Sequence, residues 1–151
     1  MSLDDLYKEV ILDHYKSPRN KTAMDGATVT CHRNNPLCGD EISIHARLEN
    51  GTIADIAFEG QGCSISQASA SMLTEAVKGA TVADAGGVAA DFRGMMEGRV
   101  DPDEDRFGDL IALHGVARYP VRIKCAVLAW DVLQEAIGDG GHGSGAGAHG
   151  A

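Results

Sequence analysis

The sequence has few basic residues, few aromatic residues and no long apolar run. Its 151 residues include 13 Lys and Arg against 22 Asp and Glu, which gives a formal net charge of −9. Nonspecific binding to nucleic acid or to an anionic membrane needs a cationic surface, so this charge balance argues against both. With three Phe, three Tyr and one Trp, the chain also lacks an evident platform for base stacking. We therefore expect neither nucleic acid nor a membrane among its partners.

No apolar stretch approaches the roughly 20 residues that a membrane-spanning helix requires. The N-terminus lacks the basic start and the apolar run of a secretion signal. We therefore expect a cytoplasmic protein, in which thiols stay reduced and serve as metal ligands or reactive groups; two disulfides in a secreted protein are the alternative. The four cysteines concerned are Cys31, Cys38, Cys63 and Cys125.

Several catalytic motifs are also missing. There is no C-x-x-C pair, which argues against a thioredoxin-like redox centre and against a zinc ribbon. The sequence contains neither the phosphate-binding motif G-x-x-x-x-G-K-[ST] nor the metalloprotease motif H-E-x-x-H, and the paired motifs of zinc nucleobase deaminases are absent. Gly60-Gln61-Gly62 lacks the third glycine of a dinucleotide-binding fingerprint, so we interpret it as turn geometry. Most standard enzyme classes are thereby excluded.

The first half of the chain predicts one helix followed by a small antiparallel sheet. A helix is expected from Leu3 to the Ser17-Pro18 pair, because its apolar residues recur every three or four positions and proline disfavours helix before it. Asn50-Gly51 is typical of a type I′ hairpin turn between two strands. The expected strands cover residues 27–33, 42–48 and 53–58.

The second half of the chain becomes helical. Residues 97–105 are acidic and broken by proline, so they are expected to form a surface excursion. Residues 138–151 hold 7 of the 19 glycines and almost no apolar bulk. Such a segment cannot bury enough surface to offset chain entropy, so we expect a disordered tail after a domain over residues 1–137. The expected helices cover residues 64–78, 81–96, 109–117 and 121–137.

Three cysteines lie in contexts that favour chemistry over simple packing. Cys38 lies two residues before Asp40 in a turn-rich loop, so both side chains can be directed to one point. Cys63 lies where a strand gives way to a helix, and the helix N-terminus favours the thiolate. Cys125 follows two cationic residues near the start of the last helix, which has the same effect.

Three thiolates and one carboxylate complete the tetrahedral shell that zinc prefers. Thiolates also hold iron–sulfur clusters, so the ligand types alone do not choose between the two, and three independent core cysteines are the alternative. Cys31 is expected to be a small core residue, with a resolving thiol near Cys38 as the alternative. The histidines outside the tail are expected to be core or surface residues; they are His14, His32, His45 and His114.

Four motifs, in the order found here, resemble the IscU/NifU-N family of iron–sulfur cluster assembly proteins. They are YKEVILDHY with SPRN, NPLCGD, EGQGCSIS and RIKCAVLAW, and the resemblance covers roughly residues 3–137. The resemblance implies an α+β fold with a three-stranded antiparallel sheet covered by helices. Within the family the chain is more similar to the SufU branch, because it has Lys124 where scaffold-type members have histidine and Arg122 where they have lysine. The acidic stretch around residues 97–109 is similar to the insertion that marks this branch.

The resemblance also implies a function. SufU-like proteins bind zinc and accept persulfide sulfur from a SufS-type, pyridoxal-phosphate-dependent cysteine desulfurase, for use by downstream iron–sulfur assembly proteins. Cys38 would be the sulfur acceptor, freed when a partner histidine replaces it on the zinc. Arg122 would stabilise its thiolate or persulfide, or form a surface salt bridge instead. The implied zinc ligands are Cys38, Asp40, Cys63 and Cys125.

Two alternatives to this sulfurtransferase-like role stay open. The same four residues would also suit a scaffold on which a transient iron–sulfur cluster assembles. In the other alternative, zinc only fastens the loops of a non-catalytic interaction domain.

Overall fold

The computed structural model describes the backbone of residues 3–36 and 39–142, and their side chains apart from residues 3–4 and 139–142. The expected α+β class is confirmed, and none of the helices in this part of the chain is long and apolar enough to cross a membrane. In chain order the elements are α1 (Leu3–Lys16), β1 (Val29–Asn35), β2 (Asp40–Glu49), β3 (Thr52–Gln61), α2 (Ser64–Val77), α3 (Val82–Met96), the short α4 (Glu104–Phe107), a 3₁₀-helix (Gly108–Arg118) and α5 (Pro120–His142).

The three strands form an antiparallel sheet in the order β1-β2-β3. Asn50 and Gly51 join β2 to β3 with φ angles of 53° and 76°, the left-handed values that a type I′ turn requires. The hairpin expected at this dipeptide is therefore confirmed. Ile42, Ile44 and Ala46 of β2 are wholly buried and alternate with partly exposed residues, so one face of the sheet packs against helices.

The segment expected as an α-helix over residues 109–117 is instead a 3₁₀-helix. Its buried apolar residues Leu110, Leu113 and Val116 recur every three positions. That spacing matches the three residues per turn of a 3₁₀-helix better than the 3.6 of an α-helix. The apolar face of this element therefore stays in register with the core along its whole length.

Helix α5 packs against β1 and β2 and is tied to α2 by a buried hydrogen-bond chain. The indole Nε1–H of Trp130 donates to Ser69 Oγ over 3.1 Å, and the Ser69 hydroxyl donates to the carbonyl oxygen of Ala126 over 2.6 Å. The Trp130 ring stacks on Phe92 of α3 with ring centroids 4.8 Å apart. These contacts fix the relative position of the two helices that carry Cys63 and Cys125.

Removing the Ser69 hydroxyl is expected to lower the free energy of unfolding by about 2 kcal/mol, because the buried Trp130 N–H loses its acceptor. Urea denaturation of Ser69→Ala measures this loss. In a Trp130→Phe background the indole N–H is absent. Ser69→Ala should therefore lower the free energy of unfolding clearly less in that background than in the parent protein. Equal costs in the two backgrounds would contradict the role assigned to this bond.

Helix α5 begins at Pro120, a position where proline is favoured because its missing N–H needs no partner. The helix continues to His142, beyond the end that the sequence predicted at Ile137. The rest of the expected tail, residues 143–151, lies outside the described residues.

Candidate metal centre

Asp40, the first residue of β2, has a buried carboxylate that contacts Cys63. Its side chain is 0% exposed. The Oδ1 atom accepts a hydrogen bond of 2.8 Å from the backbone N–H of Cys63, and Oδ2 lies 3.8 Å from Cys63 Sγ. No cationic side chain among the described residues forms an ion pair with this carboxylate. Because a buried charge needs a counter-charge, the donor atoms fit a bound cation.

Cys63 lies at the N-terminus of α2, between the end of β3 at Gln61 and the helix start at Ser64. It is the N-cap residue, and its Sγ accepts a long hydrogen bond of 3.5 Å from the backbone N–H of Ser66. The positive end of the helix therefore faces the sulfur. The strand-to-helix junction expected at this cysteine is confirmed.

Cys125, which lies in α5, is the third member of a group with Asp40 and Cys63. It is 0% exposed, and its Sγ lies with Cys63 Sγ and an Asp40 carboxylate oxygen such that all three atoms are within 4.8 Å of one another. Ligand atoms on one tetrahedral zinc ion are about 3.6–3.8 Å apart, from bond lengths of about 2.3 Å to sulfur and 2.0–2.2 Å to oxygen. Three elements distant in sequence thus supply three donor atoms that can share one ion.

Two glycines allow β3 to pass close to β2 at this point. Both have a φ of 149°, in a region that side chains rarely adopt. A Cβ at Gly60 would lie 2.0 Å from the carbonyl oxygen of Glu41, and a Cβ at Gly62 would lie 2.2 Å from Asp40 Oδ1. The interpretation of Gly60-Gln61-Gly62 as turn geometry missed this role, because the close approach involves residues about twenty positions away.

Replacing Gly62 with alanine is expected to weaken zinc binding at least tenfold, because the new methyl group must displace the Asp40 carboxylate. Competition with a chromophoric chelator measures the affinity. Gly79→Ala is the matched control, since Gly79 has a φ of 83° but a Cβ added there would meet no atom within 4 Å. The control should lose stability through its backbone alone and keep the affinity of the parent. Equal affinity in both variants would contradict the positioning role of Gly62.

The structure places two of the three remaining residues that the sequence analysis singled out, Cys31 and Arg122, and does not describe the third, Cys38. Cys38 lies outside the described residues, so its roles as ligand and sulfur acceptor stay predictions. Cys31 is half-buried and packs against the hydrophobic core, as expected for a core residue, and it is not a member of the group of three possible ligands. Arg122 is exposed in the first turn of α5 and forms no ion pair with another described residue. The salt bridge considered for it is therefore not found among these residues.

His14 is a core histidine with hydrogen-bond partners, as expected. It is 1% exposed, and its ring nitrogens lie 2.8 Å from Ser71 Oγ and 3.0 Å from Asp109 Oδ2. A carboxylate oxygen of Glu75 lies within 4.8 Å of the other two possible ligand atoms, but both acidic side chains are at least half exposed. His14 therefore links α1 to α2 and to the 3₁₀-helix, and we assign it a structural role.

The fold and the centre together define a small α+β protein with a candidate metal centre, whose possible ligands come from distant parts of one chain, unlike the closely spaced ligands of a zinc finger. Residues 6–140 match the family described as the NifU-like N-terminal domain. The chain belongs to this family, and the identification made from its four motifs is confirmed.

Relatives of both branches are similar to the chain. It is 46% identical over 136 residues to the zinc-dependent sulfurtransferase SufU of Bacillus subtilis, covering 90% of this chain and 92% of the relative. It is 44% identical over 135 residues to the iron–sulfur cluster assembly scaffold protein IscU of Streptococcus pyogenes, covering 89% and 84%. The crystal structure of a putative scaffold protein for the SUF system of Fervidobacterium islandicum superposes with a TM-score of 0.81 at 32% identity, covering 90% and 99%.

Proposed function

We propose that the protein takes part in iron–sulfur cluster assembly as a zinc-dependent acceptor of persulfide sulfur from a SufS-type cysteine desulfurase. The observation that carries the proposal is the grouping of the buried Asp40 and Cys125 with the half-buried Cys63, whose donor atoms lie within 4.8 Å of one another. The 46% identity to a zinc-dependent sulfurtransferase supports the same conclusion.

Zinc would be held by Asp40, Cys63 and Cys125, with Cys38 as the fourth ligand. The metal supplies a redox-inert positive charge that keeps thiols deprotonated at neutral pH. Cys38 precedes Asp40 by two residues, so covalent chain length alone keeps their Cα atoms within about 7 Å. A thiol at this position is therefore within reach of the centre.

Sulfur transfer to Cys38 needs no oxidant. The Cys38 thiolate attacks the terminal sulfur of the donor's cysteine persulfide, a new S–S bond forms on Cys38, and the S–S bond in the donor breaks. The donor cysteine leaves as a thiolate. Any proton on the terminal sulfur stays on that sulfur atom as it is transferred to Cys38. Arg122 is the exposed cation proposed to stabilise the charged sulfur, because cations favour thiolates.

Intact-mass spectrometry of the zinc-loaded protein, incubated with cysteine and its desulfurase, tests the proposal. We expect the mass to increase by one sulfur atom only when both cysteine and the enzyme are present. The desulfurase is shown to be active in the same sample by its release of alanine. No added sulfur under these conditions would overturn the proposal.

A scaffold role is the second candidate, favoured by the 44% identity to a protein named as a cluster assembly scaffold. The cluster would be the cargo, held on the same thiolates and carboxylate. Anaerobic reconstitution followed by transfer to an apo acceptor protein is the test. A reconstituted protein that transfers no cluster would contradict this role.

A further inference from the structure

An apolar groove with a volume of about 640 Å³ lies between α1, the 3₁₀-helix and the start of α5. Tyr119 and Val121 are large apolar side chains on its wall, and they are 57% and 64% exposed. Exposed apolar residues gathered in one concave patch mark a site of interaction. We call this feature the α1–α5 groove; its apolar lining includes Tyr7, Ile11, Ile65, Val116, Tyr119 and Val121.

The charged residues of the α1–α5 groove all have the same sign. Lys8, Arg118 and Arg122 line it, and no carboxylate of the described residues does. This local excess of positive charge lies in a chain whose formal net charge is −9. Lys8 and Arg122 form no ion pair with another described residue. The groove is therefore complementary to carboxylates.

The groove also borders the candidate metal centre. Ile65 follows Cys63 by two residues in the first turn of α2. On α5, the carbonyl oxygen of Val121 lies 3.8 Å from Cys125 Sγ, one helical turn away. A molecule that fills the groove is thus held within one turn of two of the grouped thiols.

We infer that the α1–α5 groove is the docking surface for the sulfur donor, which fills it with a segment that carries a large apolar side chain flanked by Asp or Glu. This inference rests on the proposed function and adds to it the surface and the chemistry of recognition. The positive charge of the groove favours an acidic segment, and its apolar wall favours a large apolar side chain at the centre of that segment. The neighbouring thiols indicate that the partner is the protein that delivers sulfur.

The two parts of the surface contribute differently to binding. Burial of the apolar side chain against Val121 and Tyr119 sets the lifetime of the complex. The cations at Lys8, Arg118 and Arg122 increase the association rate and make the affinity dependent on salt. Substitutions in the two parts are therefore expected to differ in their salt dependence.

The test measures the Kd between the full chain, loaded with zinc, and the cysteine desulfurase by calorimetry at low and high salt. Val121→Glu should raise the Kd about tenfold at both salt concentrations, and Lys8→Glu about fivefold, mainly at low salt. Leu12→Glu and Lys16→Glu are the matched controls on α1, because both residues are exposed and neither lines the groove. They should stay within twofold of the parent protein.

Sulfur transfer in the same variants provides a second readout. The groove variants should need more protein for half-maximal transfer while the maximal rate and the zinc content stay unchanged. A defect in folding would lower the zinc content and the maximal rate as well. Thermal unfolding of each variant checks that the fold is intact.

The possible outcomes distinguish failure of the proposed docking surface from failure of the proposed function. If the groove variants bind the desulfurase like the parent while sulfur transfer proceeds, the docking surface is wrong and the proposed function stands. If the parent accepts no sulfur but binds the enzyme through the groove, the function fails and the docking surface stands. Failure of the parent both to bind and to accept sulfur overturns both. A parent dimer that the groove variants dissociate, with the Kd for the enzyme unchanged, overturns the inference in favour of a second copy of this chain.

Discussion

Replacing Cys38 with alanine is expected to abolish sulfur acceptance from the desulfurase, with a residual yield below about 1% of the parent. The proposed acceptor thiolate is then missing, and no other cysteine is expected to take its place, because Cys63 and Cys125 are the proposed metal ligands and Cys31 packs against the core. Intact-mass spectrometry under the conditions described above measures the loss.

Cys31→Ala is the matched control, because it removes a thiol of the same size from a position outside the grouped ligands. This variant should gain one sulfur atom as the parent does. A Cys38→Ala variant that still gains sulfur would identify a different acceptor, and peptide mapping of the labelled product would locate it. Loss of sulfur acceptance in Cys31→Ala alone would favour the resolving-thiol alternative.

Replacing Cys125 with serine is expected to weaken zinc binding by a factor of at least about 100. The substitution makes the buried side chain only slightly smaller but removes a proposed thiolate ligand, and apparent free energies of zinc binding at structural sites, about 10–16 kcal/mol, come from only about four ligands. Chelator competition measures the affinity. The stabilisation by metal is a second measure, since binding at 1,000 times the Kd adds about 4.1 kcal/mol.

For a domain of this size that stabilisation raises the Tm of the parent by about 10 °C. The Cys125→Ser variant should show almost none of this increase, whereas Cys31→Ser should show all of it. Cys63→Ser is the second ligand variant, and its half-buried position makes it less sensitive to packing defects. An unchanged zinc affinity in both ligand variants would contradict the assignment of the centre.

Local patterns in the sequence were sufficient to predict the sheet and most helices. The Asn50-Gly51 turn needs only two residues with left-handed φ, and the alternating burial of Ile42 and Ile44 has the period of a strand. The 3₁₀-helix was predicted as an α-helix, because a periodicity of three and one of 3.6 are hard to distinguish over eleven residues. Only the packing of Leu110 and Leu113 on the core decides between them.

The site could be predicted only in part. The chemical character of each cysteine follows from its neighbours in the sequence, whereas the distances between the residues depend on tertiary packing. The contexts of Cys63 and Cys125 indicate thiolates without reference to any contact. Their approach to Asp40 depends on how α5 packs on the sheet and on how closely β3 passes β2 at Gly62, and neither is encoded in a short segment. The α1–α5 groove was not predicted for the same reason, since its walls come from separate elements.

The separation of the ligands along the chain has a consequence for synthesis. Asp40 and Cys63 are brought together by the β2–β3 hairpin, which forms from neighbouring residues, but Cys125 is translated only much later. A nascent chain on the ribosome therefore carries an incomplete centre until most of the domain has emerged and α5 has packed. The free energy of the proposed metal binding would be added to this final step of folding. Metal occupancy would thus distinguish finished protein from truncated products that end before α5.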